Sequence, residues 1–213
     1  MKFLRNNNNL IFNIPLISFI FTIIFEKALS RKIILIQNAE PDQHDSNILS
    51  LTGEARSICL NELIQNDESL RPQIIYAQNP NGDVYTPLPL KTVNYLASQL
   101  NIKIIDTFKE RQQAKLASTI ENLPDDIETV LLCWNRYQIE LLVKTLGIDN
   151  PPTWNDGYDN LWIVENDNLK DTTQNLGSCI ERVKADLISG TSTLSLKTFH
   201  IMIFVFFLFL FLN

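Results

Sequence analysis

The sequence predicts an α/β protein, a three-layer α/β/α sandwich with a mostly parallel central sheet, and three observations lead there. Lys32-Ile-Ile-Leu-Ile36 holds four consecutive apolar residues closed at once by polar ones, the mark of a parallel strand buried on both faces. Similar short runs recur at 73–77, 102–106, 129–133 and 161–165. Between them, apolar residues return at the 3.6-residue spacing of a helix with one buried face. Strand and helix thus alternate as a βαβ series requires.

Taken in order, the first strand, 32–36, hands over directly to Gln37-Asn38-Ala39-Glu40, and function in such a sheet sits just past that end. Ala55, Ile58, Cys59 and Leu63 predict a first helix, which precedes the strand at 73–77. Leu90, Val93, Ala97 and Leu100 predict a second, before the strand at 102–106. After the strand at 129–133, Ile139, Leu142, Val143 and Leu146 predict a third, which Gly147 ends. The strand at 161–165 follows. In 171–189, Ile180, Val183 and Leu187 are spaced for one more helix face, so this segment is expected as a last helix or a stalk.

Five stretches carry a family resemblance: Gln37-Asn38-Ala39 after the first strand, Leu49-Ser-Leu-Thr52-Gly-Glu-Ala55-Arg56, Pro72-Gln-Ile-Ile-Tyr-Ala77-Gln-Asn-Pro80, Lys91-Thr92-Val-Asn-Tyr-Leu-Ala97 and Thr129-Val-Leu-Leu-Cys-Trp134-Asn-Arg136-Tyr-Gln-Ile139. In this order and spacing they resemble the histidine phosphatase superfamily, the phosphoglycerate mutase-like fold, over roughly residues 32–165. That family's first strand typically ends in Arg-His-Gly or Arg-His-Ala. The resemblance implies a first histidine that attacks phosphorus, and two arginines with a second histidine that hold the phosphoryl oxygens.

None of those four groups stands at its matching position. Asn38 falls at the nucleophile's place, and its amide nitrogen, delocalised into the carbonyl, cannot be phosphorylated as an imidazole can. Gln37 replaces the first arginine; it donates hydrogen bonds but lacks the charge and the bidentate fork that a phosphate prefers. Pro87-Leu88 stands where the second arginine is expected. The second histidine maps to Asn135 by the commoner spacing, or to Arg136 by the branch that carries Cys-Trp. Glu110 is a candidate relic of a proton donor, the alternative being an exposed acid in a helix's first turn, favoured there by the macrodipole. Of the chain's two histidines, His44 lies in the polar loop 41–46 and His200 borders an apolar tail.

The expectation is therefore a catalytically inactive histidine phosphatase-like protein that acts, if at all, through an unknown small-molecule or protein ligand. The competing expectation is a residual or altered phosphomonoester hydrolase that uses Arg136, Glu110 and a water. No cofactor is implied, and Cys59, Cys133 and Cys179 show no metal-ligand spacing. Three cysteines are too few for a disulfide framework, although one pair can close in an oxidising compartment; Cys133, at a strand end, is expected as a packed core thiol.

Both termini look like processing signals. Residues 1–30 combine basic Lys2 and Arg5, an apolar run from Leu10 to Phe25 and small residues at Ala28 and Ser30, which predicts a signal peptide, with an uncleaved signal anchor as the competing reading. Residues 31–170 form the phosphatase-like domain and 171–190 the helix or stalk. Residues 191–213 end in 12 apolar residues, Ile201 to Leu212, too few for a ~20-residue spanning helix but suited to a glycosylphosphatidylinositol anchor signal, with a tail anchor as the alternative. The expected location is the secretory pathway, then the cell surface or a membrane. Residues 31–190 hold 14 basic and 23 acidic residues, an excess of negative charge that disfavours nucleic acid and free phosphate alike.

Overall fold

The computed structural model describes residues 31–83 and 85–190; the two segments expected as terminal signals, and His200 with them, lie outside the described residues. Strands β1 (Lys32–Gln37), β2 (Ile74–Ala77), β3 (Ile104–Ile105), β4 (Thr129–Trp134), β5 (Asn160–Glu165) and β6 (Asn168–Thr173) form one sheet in the order β3-β2-β4-β1-β5-β6. The first four are mutually parallel, whereas β5 runs antiparallel to β1 and β6 antiparallel to β5. The helices are α1 (Leu51–Asn66), α2 (Leu88–Leu100), α3 (Gln113–Glu121), α4 (Arg136–Thr145) and α5 (Gly177–Ser189).

Alternation along β1 divides the interior into two cores. Ile34 and Ile36 point to one face, where they meet Ala55, Cys59 and Leu60 of α1, Val93, Leu96 and Ala97 of α2, and Ile180 and Val183 of α5. Ile33 and Leu35 point to the other, against Leu116 and Ile120 of α3, and Ile139, Leu142 and Val143 of α4. Helices thus cover both faces, and the expected three-layer α/β/α sandwich is present.

The elements differ from the expectation in four places, each for a local reason. β3 shrinks from 102–106 to a pair of residues because Asn101 turns left-handed (φ 55°) and Ile102 donates to the carbonyl of Ala97, so this stretch closes α2 instead of pairing. β6 was not expected: it is a polar edge strand, without an apolar run, joined to β5 by Asn166 and Asp167, both at positive φ as a two-residue hairpin demands. α3 was also not expected. The Arg31 guanidinium meets its end, donating to the carbonyl of Ile120 in its last turn and to those of Leu123, Pro124 and Ile127 in the loop that follows, at 2.5–3.0 Å. Finally, the segment at 171–189 ends β6 and then forms α5, which packs into the core instead of standing off as a stalk.

A disulfide joins Cys59 of α1 to Cys179 of α5, with their Cα atoms 6.0 Å apart, and Cys133 is buried as a free thiol. Burial pushes that thiol far above the ordinary range. Gly53 lets α1 close on the loop after β1, since a Cβ there would lie 2.3 Å from the Glu40 carbonyl oxygen. Arg56 then holds the same loop: it forks onto the Glu40 carboxylate at 2.8–3.1 Å and reaches Asp159 and Gln174 at 3.3 Å. Among the described residues no helix is long and apolar enough to cross a membrane.

Candidate functional site

Parallel strands direct their C-terminal ends to one edge of the sheet, and a cleft of about 620 Å³ opens there. It brings together all six positions singled out in the sequence: Gln37 at the end of β1 and Asn38 just after it, Leu88 at the start of α2, Asn135 and Arg136 at the junction of β4 with α4, and Glu110 before α3. His44 is exposed and does not line it; its backbone N–H donates to the Asp42 carboxylate, which that bond holds below the usual carboxylate range.

Gln37 is 2% exposed. Its Oε1 accepts from Trp154 Nε1 at 2.6 Å, while its Nε2 has no partner among the described residues. Asn38 donates its backbone N–H to the Trp134 carbonyl at 3.2 Å and its side-chain Nδ2 to the carbonyl of Ala39 at 3.1 Å. The next amide, of Ala39, donates to Thr92 Oγ1, whose hydroxyl donates back to the Leu88 carbonyl, both at 2.8 Å. Thr92 therefore ties the loop to α2, and Leu88 is an apolar, buried wall.

Asn135 serves as the N-cap of α4, with Oδ1 accepting from the Tyr137 N–H at 3.0 Å. Its own backbone N–H donates to Gln78 Oε1 at 3.0 Å. Arg136 pairs with Asp156 at 2.9 Å and lies 4.9 Å from the centre of the Tyr137 ring. Glu110 is not the exposed first-turn acid that the sequence left open. It precedes α3, accepts from the Asp83 N–H at 2.6 Å through Oε1, and leaves Oε2 shut off from solvent without a partner among the described residues. Gly82 permits that approach, because a Cβ would overlap Oε2.

Sequence reasoning missed Gln78, Trp154 and three tyrosines. Gln78 follows β2 and is 1% exposed, yet lines the cleft. Trp154, in the loop after Pro151-Pro152, carries no local sign that it reaches Gln37. Tyr85 and Tyr137 stand at the mouth, 57% and 76% exposed. Tyr158 also lines the cleft, and burial raises its phenol, with the Glu40 charge adding to the effect. In charge the lining is balanced: Arg111 and Arg136 against Asp83 and Glu110, with Arg111 paired to Asp83 at 3.0 Å.

No protein-family model matches the chain, and no curated protein sequence matches it. Among solved structures it is similar to the protein histidine phosphatase SixA complexed with tungstate, at TM-score 0.48 and 8% identity over 66% of this chain and 94% of that one. It is also similar to phosphoglycerate mutase from Bacillus anthracis str. Sterne, at TM-score 0.42 and 9% identity over 74% of this chain and 99% of that one. At such identities the reading of the site rests on this chain's own residues.

Proposed function

We propose that this chain is a catalytically inactive histidine phosphatase-like protein that acts by binding, exported and attached to a membrane through its C-terminal segment. One observation supports the inactivity above the others. Gln37 and Asn38 line the cleft where the resemblance implies an arginine and a nucleophilic histidine, and no histidine lines it among the described residues. The nitrogen lone pair of a carboxamide is delocalised into its carbonyl and cannot replace the imidazole nitrogen as nucleophile, so no phosphoenzyme forms. The altered-hydrolase alternative would have Glu110 activate a water beside Arg136. Against it, Glu110 Oε1 already accepts a backbone hydrogen bond and Arg136 is already paired with Asp156.

The test is turnover of p-nitrophenyl phosphate, with a search for acid-labile phosphoprotein, by the purified full-length chain. Turnover at the level of a buffer blank and no phosphoprotein are expected. Turnover well above the blank that Asn38→Ala abolishes would falsify the proposal.

A further inference from the structure

The reading of a cleft that binds without catalysis leaves its ligand open. Resting on that reading, we propose that the cleft takes a neutral, hydroxyl-rich ligand, a mono- or oligosaccharide, in place of a phosphate ester. Its volume, about 620 Å³, falls within the range of small-molecule sites.

The charge balance argues first. A phosphate dianion calls for net positive charge and unpaired, forked donors. Here the two lining arginines are matched by two lining carboxylates, and Arg136 and Arg111 are each held by an aspartate. A neutral ligand needs no surplus of charge. Arginine–carboxylate pairs offer donors and acceptors side by side, the arrangement that adjacent hydroxyls of a sugar ring can bridge.

Carboxamides dominate the polar lining, with Gln37, Asn38, Gln78, Asn135 and Gln138 all contributing. Each amide carries a donor and an acceptor, as a hydroxyl does, whereas a phosphate monoester dianion only accepts; the oxygens of Gln37, Gln78, Asn135 and Gln138 each accept one bond within the protein and keep a second lone pair. Two hydrogen bonds remain unmet in the walls: the Gln37 Nε2 donor and the Glu110 Oε2 acceptor, both closed off from solvent and both without a partner among the described residues. An unmet buried polar group is costly, and a small rotation of either side chain toward the cleft would present it to a ligand hydroxyl, which carries donor and acceptor on one atom. At the mouth, Tyr85 and Tyr137 present aromatic rings to solvent, which can stack on the apolar C–H face of a sugar while each phenol stays wet.

The experiment is saturation-transfer NMR and calorimetry on the full-length chain with glucose, galactose, mannose, N-acetylglucosamine and maltotriose, alongside glucose 6-phosphate, inorganic phosphate and adenosine. At least one neutral sugar is expected to bind with Kd below about 1 mM. Phosphorylation of glucose is expected to weaken its binding, and Gln37→Leu to weaken the bound sugar roughly tenfold. Tyr85→Ala, at an exposed position where folding is not at stake, is expected to weaken it as well. The proposal is overturned if no sugar of the panel binds, if the bound sugar is indifferent to both variants, if glucose 6-phosphate or phosphate binds more tightly than any neutral sugar, or if adenosine alone binds. The phosphatase assay on the same preparation separates the two readings: no turnover and no sugar binding removes the ligand class and leaves the inactive protein, whereas Asn38-dependent turnover removes both.

Discussion

Trp154 donates its indole N–H to the side-chain oxygen of Gln37 at 2.6 Å, joining residues 117 apart in the chain behind the wall of the cleft. The bond requires an acceptor at position 37. Arginine, which the family resemblance places there, has five donors and no acceptor, so it would face the indole N–H donor to donor. Glutamine at 37 and tryptophan at 154 therefore suit one another in a neutral wall.

That pairing is measurable as a coupling. Trp154→Phe should cost about 1–3 kcal/mol in urea unfolding, because it leaves the buried Gln37 amide wholly unpartnered. Gln37→Leu on top of Trp154→Phe should cost less than the sum of the two single changes. Strict additivity would show that the two side chains do not interact energetically.

Restoring the missing groups should restore phosphate binding in full only if the indole is removed too. Gln37→Arg with Asn38→His introduces a charge-assisted contact of about 1.5–3 kcal/mol, roughly tenfold to a hundredfold in affinity. Against a retained Trp154, the buried guanidinium should lower stability and blunt the gain. Adding Trp154→Phe should release it, read as vanadate or phosphate affinity by calorimetry; turnover should stay low while Leu88 and Arg136 remain. Equal affinities for the double and triple variants would exclude the role given to Trp154.

Thiol chemistry follows from burial. Under native, non-reducing conditions the described domain should take up no alkylating reagent, because Cys59 and Cys179 are joined and Cys133 is buried with its thiol held protonated. One thiol should label after unfolding, and three after unfolding with reductant. Closing so long a loop is worth about 2–4 kcal/mol, so Cys59→Ala with Cys179→Ala should lower the melting temperature by several degrees. An unchanged melting temperature would argue that α5 is held by packing alone.

Location is tested by the two termini together. A signal peptide alone would export a soluble protein, and the apolar end alone could insert as a tail anchor facing the cytosol. Under the proposed export, the two together would lead to exchange of the tail for a lipid near Ser189 or Gly190. A phosphatidylinositol-specific phospholipase should then release the domain from intact cells. Protein that stays on the membrane, or that retains sequence beyond Phe199 by mass spectrometry, excludes the lipid anchor.

How legible the site was depended on where each signal is encoded. Gln37, Asn38, Leu88, Asn135 and Arg136 were placed from strand ends and motif spacing, and they meet because parallel strands finish at one edge of the sheet. Glu110 was found by type but misjudged by surroundings, since nothing local announces that Gly82 and Asp83 close over it. Gln78 stood in a family-like stretch without being named for the site, and Tyr85 and Trp154 escaped notice, being ordinary loop residues until the chain brings Tyr85 to the cleft and Trp154 to Gln37.

Local pattern was sufficient for what rests on periodicity. The buried parallel strands, three of the helices and the sandwich class follow from which residues must leave water, and that is written in the spacing of Ile, Leu and Val. Interactions between distant segments required the fold. The polar β6 is stabilised by its hairpin with β5, Cys59 is paired with Cys179 instead of Cys133 because α1 and α5 pack together, and the wall of the cleft takes its neutral character from Gln37 meeting Trp154. Such choices depend on distances of a few ångströms between residues about a hundred positions apart, and hydrophobic period carries no information on that scale.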